Sequence, residues 1–170
     1  TVEAWVWAGA GVSSSYNMIV GQWPRGNNAT TNSWIMEYSS GAVVGYAVIS
    51  GAVTQIAQSA TLPRGEWVHV ALVRNGNAHN IYINGVVGAT TTNTNAYDAG
   101  SGAVEVGGFS VLSGGAWDGY ISNVRVVKGT AVYTSNFTPS TSALTAISGT
   151  VLLTCQSNRF KDNSASAHAI

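Results

Sequence analysis

Residues Gly65 to Gly88 read GEWVHVALVRNGNAHNIYINGVVG. Two strand-like runs stand out, one from about Glu66 to Arg74 and one from about Asn80 to Val87. Between them, Asn75-Gly76-Asn77 suits a hairpin turn, where φ is positive, and Asn84-Gly85 is a second turn signal. In the first run Trp67, His69, Ala71 and Val73 share one face, and Val68, Val70 and Leu72 share the other. In the second, Ile81 and Ile83 oppose Tyr82 and Asn84. Apolar residues on both faces predict a sheet covered at least partly on both sides. Trp67 is expected in the core. His69 is expected to bond between strands rather than to act in catalysis.

Working outward, further strands are expected at Thr1–Ala8, Tyr16–Trp23, Trp34–Tyr38, Gly41–Ser50, Val53–Ala60, Trp117–Val127 and Val151–Cys155. A short one is expected near Ala103–Gly107. Ala89 to Ser101 reads as a loop or weak edge strand, and Thr130 to Tyr133 as a short helical turn. Helical periodicity never persists over a window of about 11 residues. Many short strands with Gly-rich turns predict an all-β fold, a sandwich or a barrel.

The 170 residues fit one domain, 1–170. Charged residues make up only 8%, and seven basic residues cancel seven acidic ones. So little charge gives weak colloidal protection, which predicts an oligomer or contacts with neighbours. It also argues against nucleic acid, whose binders need concentrated Lys and Arg. Cys155 is the single cysteine, so there is no intrachain disulfide, and its apolar neighbours Val151 to Thr154 predict a buried small residue. The apolar runs are too short for a helical membrane insertion. Both ends carry apolar residues, which predicts a piece of a longer chain, with 156–170 as a tail or linker.

Three phrases are similar to known proteins. Trp67-Val68-His69-Val70-Ala71, Ile81-Tyr82-Ile83-Asn84-Gly85 and Asp118-Gly119-Tyr120-Ile121-Ser122-Asn123-Val124-Arg125 resemble the concanavalin A-like superfamily, in its laminin G-like and pentraxin-like branch. Thr1 to Val6 resembles that family's early strand, and the strand that usually precedes it does not occur here. The resemblance implies an antiparallel β-sandwich of jelly-roll type. Arg125 to Tyr133, Asn136 to Pro139 and Leu152 to Phe160 further resemble laminin G-like modules in structural proteins of marine bacteriophages.

The resemblance also directs attention to particular sites. Glycosidases of this fold set paired carboxylates on one strand, because acid/base chemistry at a glycosidic bond needs an opposed pair. Here the acidic residues are isolated, and Glu37 is the least implausible candidate; no catalytic residue is assigned and the chain is read as a non-enzyme. No cofactor is required. Relatives often hold calcium at a sandwich rim, which makes Asp98, then Asp118, the candidate metal ligands, with turn capping as the alternative for both. Sugar binding would use exposed aromatic rings beside amide groups. Trp23, Trp34, Tyr97 and Trp117 are the glycan-binding candidates, with Trp23 and Trp34 flanking the polar loop Pro24–Ser33. Asn28-Ala29-Thr30 and Asn136-Phe137-Thr138 match the glycosylation phrase.

Two functions follow as expectations. The first is a virion structural or adhesion module (tail, fibre or capsid decoration), made in a host cytoplasm, whose partners are other virion proteins or copies of itself. The second is a carbohydrate-binding module for surface glycans, with calcium as an accessory ion.

Overall fold

The computed structural model describes residues 1–12, 16–23, 30–109 and 115–170. Among these, the strands are β1 (Val2–Ala8), β2 (Asn17–Gln22), β3 (Trp34–Ser39), β4 (Ala42–Ile49), β5 (Ala52–Thr61), β6 (Trp67–Asn75), β7 (Ala78–Ile83), β8 (Val86–Val87), β9 (Thr91–Thr92), β10 (Glu105–Val106), β11 (Gly119–Val127) and β12 (Thr150–Thr154). They form two antiparallel sheets. The larger runs β12-β11-β1-β6-β7-β8, with β9 also paired to β7, and the smaller runs β10-β2-β3-β4-β5. The architecture is the expected all-β, antiparallel sandwich. No helix among the described residues is long and apolar enough to cross a membrane.

The opening stretch forms the β6–β7 pair, closed by Gly76 and Asn77 between the register partners Asn75 and Ala78. A second tight turn at Asn84-Gly85 places both residues at positive φ, 49° and 77°, and returns the chain as β8. Strand alternation then sorts the side chains. Val68, Val70 and Leu72 face inward with Ala4, Val6, Ile81 and Val124, meeting Ile19, Met36, Val43 and Ile56 of the smaller sheet. Full burial of each such aliphatic side chain contributes roughly 1.5–3 kcal/mol, which drives the layering.

The larger sheet is also covered on its outer side, but only in part. Residues 131–137 cross it as an extended strap, and Ala131, Tyr133 and Phe137 pack on Ala71, Val73 and Tyr82. The expected helical turn at Thr130–Tyr133 does not form; instead Tyr133 and Phe137 pack edge-on or tilted against His69 and Tyr82 of the sheet. Tyr133 and Phe137 stack at 3.6 Å and 4°. The strap is pinned by Phe137 N–H to Gly85 O (3.0 Å) and Val87 N–H to Asn136 Oδ1 (3.0 Å).

Trp67 corrects the sequence expectation. It shares a face with His69, Ala71 and Val73 but lies at the start of β6, away from the strap, and is 46% exposed. Residues beyond β12 fold back on its edge. Asp162 accepts from Leu153 N–H, and Asn163 N–H donates to Leu153 O.

Candidate functional site

Beside the strap, the outer face of the larger sheet carries a row of aromatic side chains. Trp7 on β1 is the register partner of both Trp67 on β6 and Tyr120 on β11. Directly opposed residues share a face, so the three rings emerge together. Tyr120 lies 5.6 Å from Trp7 at 60° and 6.3 Å from Trp67 at 37°. Tyr120 is 64% exposed, and Trp7 is half-buried between its neighbours. One row further along, Trp5 opposes His69 and Ser122.

Gly119 makes this pairing feasible. It opens β11 at φ 143° opposite Ala8, and the Trp7 carbonyl occupies the place a Cβ would take. Just past Ser122, a β-bulge breaks the β1–β11 register between Glu3 and Trp5, with Asn123 at φ 52°. A bulge adds a residue to one strand and re-aims its side chains. Here it sends two consecutive polar residues, Ser122 and Asn123, to the groove. Asn123 Nδ2–H donates to Ser122 Oγ (3.1 Å), and Asn123 Oδ1 accepts from Leu144 N–H (2.8 Å). The continuing strap forms the wall, where Trp5 Nε1–H donates to Ser140 O (3.1 Å). The result is a groove of about 250 Å³ lined by Trp5, Trp67, Ser122, Asn123 and Thr141.

A fixed polar network lies next to the groove. Glu3 is fully buried and accepts from Tyr133 Oη–H (2.7 Å) and Arg125 Nε–H (2.8 Å), with His69 Nε2 at 3.0 Å. Burial pushes the Glu3 carboxyl up, but the hydrogen bonds from His69 and Tyr133 and the Arg125 guanidinium together hold it below its usual range. Trp5 packs edge-on to His69 at 5.5 Å and 71°, which carries the rigidity of the network into the groove.

This geometry sits on a recognisable framework. A laminin G-type family model described as the concanavalin A-like lectin/glucanases superfamily matches residues 1–133. The chain belongs to that superfamily. A comparison with curated protein sequences finds no match. Among solved structures, it is similar to a protein of Bacteroides ovatus that has been assigned as carbohydrate binding, with TM-score 0.61 and 17% identity. The match covers 91% of this chain and 44% of that one, so the chain spans less than half the neighbour's length. At that identity the likeness concerns the fold.

Within the superfamily fold, the aromatics singled out from sequence are scattered. Trp23 is 5% exposed and packs with Met18, Ile35 and Val48 on the outer side of the smaller sheet. Its ring has no free face for a sugar. Of the Pro24–Ser33 loop expected to present it, residues 24–29, which include Asn28 and Ala29, lie outside the described residues. Trp34, Tyr97 and Trp117 are half-buried against the central core. Tyr97 stacks on His79 at 5.8 Å with the Arg74 guanidinium over its ring at 5.0 Å, and burial pushes its phenol up to about 12. Trp117 Nε1–H donates to Trp7 O (3.2 Å). The sequence expectation puts Trp67 in the core and assigns no site role to Trp5, which lines the groove with it, or to Tyr120, which stands beside it. The available signal was their alternation with core residues on strands flanked by Gly119 and Gly65, but it does not reveal which outer positions the strap leaves uncovered.

The candidate metal ligands act as turn caps. Asp98 accepts from Ser50 N–H (3.0 Å) and Gly51 N–H (2.7 Å), one on each carboxylate oxygen. Asp118 Oδ2 accepts from Gly11 N–H (2.7 Å). Among the described residues, no group of three or more His, Cys, Asp or Glu side chains could hold a metal ion. Glu37 lies on the outer side of the smaller sheet, opposite Met18 and Val44, 4% exposed and with Oε1 unpartnered. Burial raises its pKa to about 7.

Proposed function

We propose that this chain is a non-catalytic, lectin-type carbohydrate-binding module whose site is the groove beside Trp67. The carrying observation is that Trp67, 46% exposed, and Tyr120, 64% exposed, stand beside a half-buried Trp7, with Trp67 lining the groove next to Ser122, Asn123 and Thr141. Aromatic faces pack against the C–H faces of pyranose rings, and adjacent amide and hydroxyl groups bond their hydroxyls. Exposed aromatic area of this kind on a folded chain marks an interaction surface. The assignment of the Bacteroides ovatus neighbour supports the same reading.

The virion assembly reading rests on the phrases Arg125–Tyr133, Asn136–Pro139 and Leu152–Phe160. In the fold these phrases fall on the end of β11, the strap, and β12 with the segment that follows it. The superfamily and the Bacteroides ovatus neighbour support the carbohydrate reading rather than this one.

The test is a glycan array followed by calorimetry on hits, with wild type and Trp67→Ala, in calcium and in EDTA. Hits that vanish in Trp67→Ala while the fold is retained are expected, with equal binding in both buffers. An array without hits, or hits indifferent to Trp67, overturns the assignment.

A further inference from the structure

We infer that the groove selects a short, neutral glycan epitope of one or two pyranose rings, not an extended or charged polysaccharide. This rests on the carbohydrate reading above and adds the ligand's size and charge to it.

Size comes first. At about 250 Å³ the groove lies just under the roughly 300 Å³ at which pockets for drug-sized ligands begin. That is room for a ring or two.

Ring orientation points the same way. A long chain lying on a sheet gains from aromatic rings spread along its length in one plane. Here Trp67 and Tyr120 are only 6.3 Å apart and tilted by 37°, and Trp7 meets Tyr120 at 60°. The rings brace one another into one compact ridge that a single sugar covers. Beyond the ridge the strap forms a wall, fixed by the Trp5 Nε1–H to Ser140 O bond, with Thr141 exposed at its rim. A chain continuing across the sheet in that direction meets the wall.

Charge completes the case. None of the five lining side chains is ionisable at neutral pH. The nearby Glu3 and Arg125 are buried and paired with each other, Arg125 Nη2 to Glu3 Oε1 at 2.6 Å, so neither is available to a uronate, a sulfate or an amino sugar. What remains is the second Nδ2 hydrogen of Asn123, a free lone pair on Ser122 Oγ and the Thr141 hydroxyl. This is a set suited to uncharged hydroxyls.

The experiment is calorimetry on neutral oligosaccharide series of one to six units built from glucose, mannose, galactose or xylose. Uronic, sulfated and amino-sugar counterparts run in parallel. Wild type, Trp67→Ala and Tyr120→Ala are compared after their melting curves are matched. Affinity is expected to rise from one to two units and then stay within about twofold. Trp67→Ala is expected to weaken every member by at least about 30-fold. Affinity that keeps climbing to six units, or tighter binding of a charged series, overturns the size-and-charge inference while leaving a carbohydrate module standing. Failure of every sugar overturns the module reading itself. Strong binding that survives both substitutions removes the groove as the site.

Discussion

Glu3 Oε2 on β1 lies 3.0 Å from His69 Nε2 on β6, and neither side chain is more than 1% exposed. Arg125 approaches Glu3 from β11 and Tyr133 from the strap. One carboxylate therefore ties three strands and the covering segment together, directly beside the groove.

Removing that carboxylate leaves Arg125 as a buried charge without its partner. Stranding a buried charge in this way costs about 3–5 kcal/mol. Glu3→Leu is expected to lose that much in urea unfolding at pH 7. Tyr133→Phe removes a single hydrogen bond to a charged group and is expected to lose about 1.5–3 kcal/mol. If both variants unfold at the wild-type midpoint, the network is not what anchors the strap.

Glu37 sets a pH dependence of opposite sign to that of Glu3. Its folded pKa is raised from 4.5 to about 7 by burial, so the folded state holds its proton more tightly than the unfolded chain. Its contribution is therefore fully present below about pH 4.5 and is lost as pH rises to about 7. A rise of that size corresponds to up to about 3 kcal/mol. Glu37→Gln is expected to match wild type near pH 4 and to exceed it near pH 8. Glu3 is held below its usual range, so its contribution is present above about pH 4.5 and is lost on acidification through the folded value. Parallel stability curves for Glu37→Gln and wild type from pH 4 to 8 would contradict the assignment.

The fold was legible because strand alternation and tight turns are local. The β6–β7 pair, the Asn84-Gly85 turn and β11 each follow from one short, contiguous stretch of sequence. The site was not, because exposure on an outer sheet face depends on what crosses it. Trp67 and Ala71 read alike in sequence, since both alternate with buried valines. The strap covers Ala71 and leaves Trp67 open, and it arrives from residues 131–137, some sixty positions away. Trp23 failed in the reverse sense. Beside a polar loop it read as a presented ring, yet Met18, Ile35 and Val48 enclose it.

That contrast makes a paired prediction. Trp23→Ala empties a packed cluster and is expected to cost about 3–5 kcal/mol, as large aromatic truncations in cores do. Trp67→Ala is expected to cost less than about 1.5 kcal/mol, because nearly half of its surface is already exposed. Chemical denaturation separates the two. A Trp67→Ala loss as large as that of Trp23→Ala would make Trp67 a structural residue.

Asp98 and Asp118 give a test of the calcium expectation. Both oxygens of Asp98 and Oδ2 of Asp118 already accept backbone N–H groups. Asp98→Ala frees two amides in the β4–β5 turn and is expected to destabilise by about 1–3 kcal/mol, equally with and without calcium. Millimolar calcium is expected to move the wild-type melting temperature by less than about 1 °C, since an ion bound by the folded state alone would raise it. A larger rise that disappears in Asp98→Ala would restore Asp98 as a metal ligand.

Gly85 holds the strap at its Phe137 end. It sits at φ 77°, and the Phe137 carbonyl occupies the space where a Cβ would stand. Gly85→Ala therefore combines left-handed backbone strain, about 1–2 kcal/mol by itself, with displacement of Phe137. Phe137 stacks on Tyr133, Tyr133 bonds Glu3, and His69 links Glu3 to Trp5 at the groove. The substitution is expected to lose more than about 2 kcal/mol of stability and also to weaken sugar binding, although Gly85 does not line the groove. Asn136→Ala is the control, because it removes only the bond from Val87 N–H and is expected to lose about 1 kcal/mol with binding unchanged. If Gly85→Ala lowers stability while calorimetry finds full affinity, the strap covers the sheet without shaping the groove.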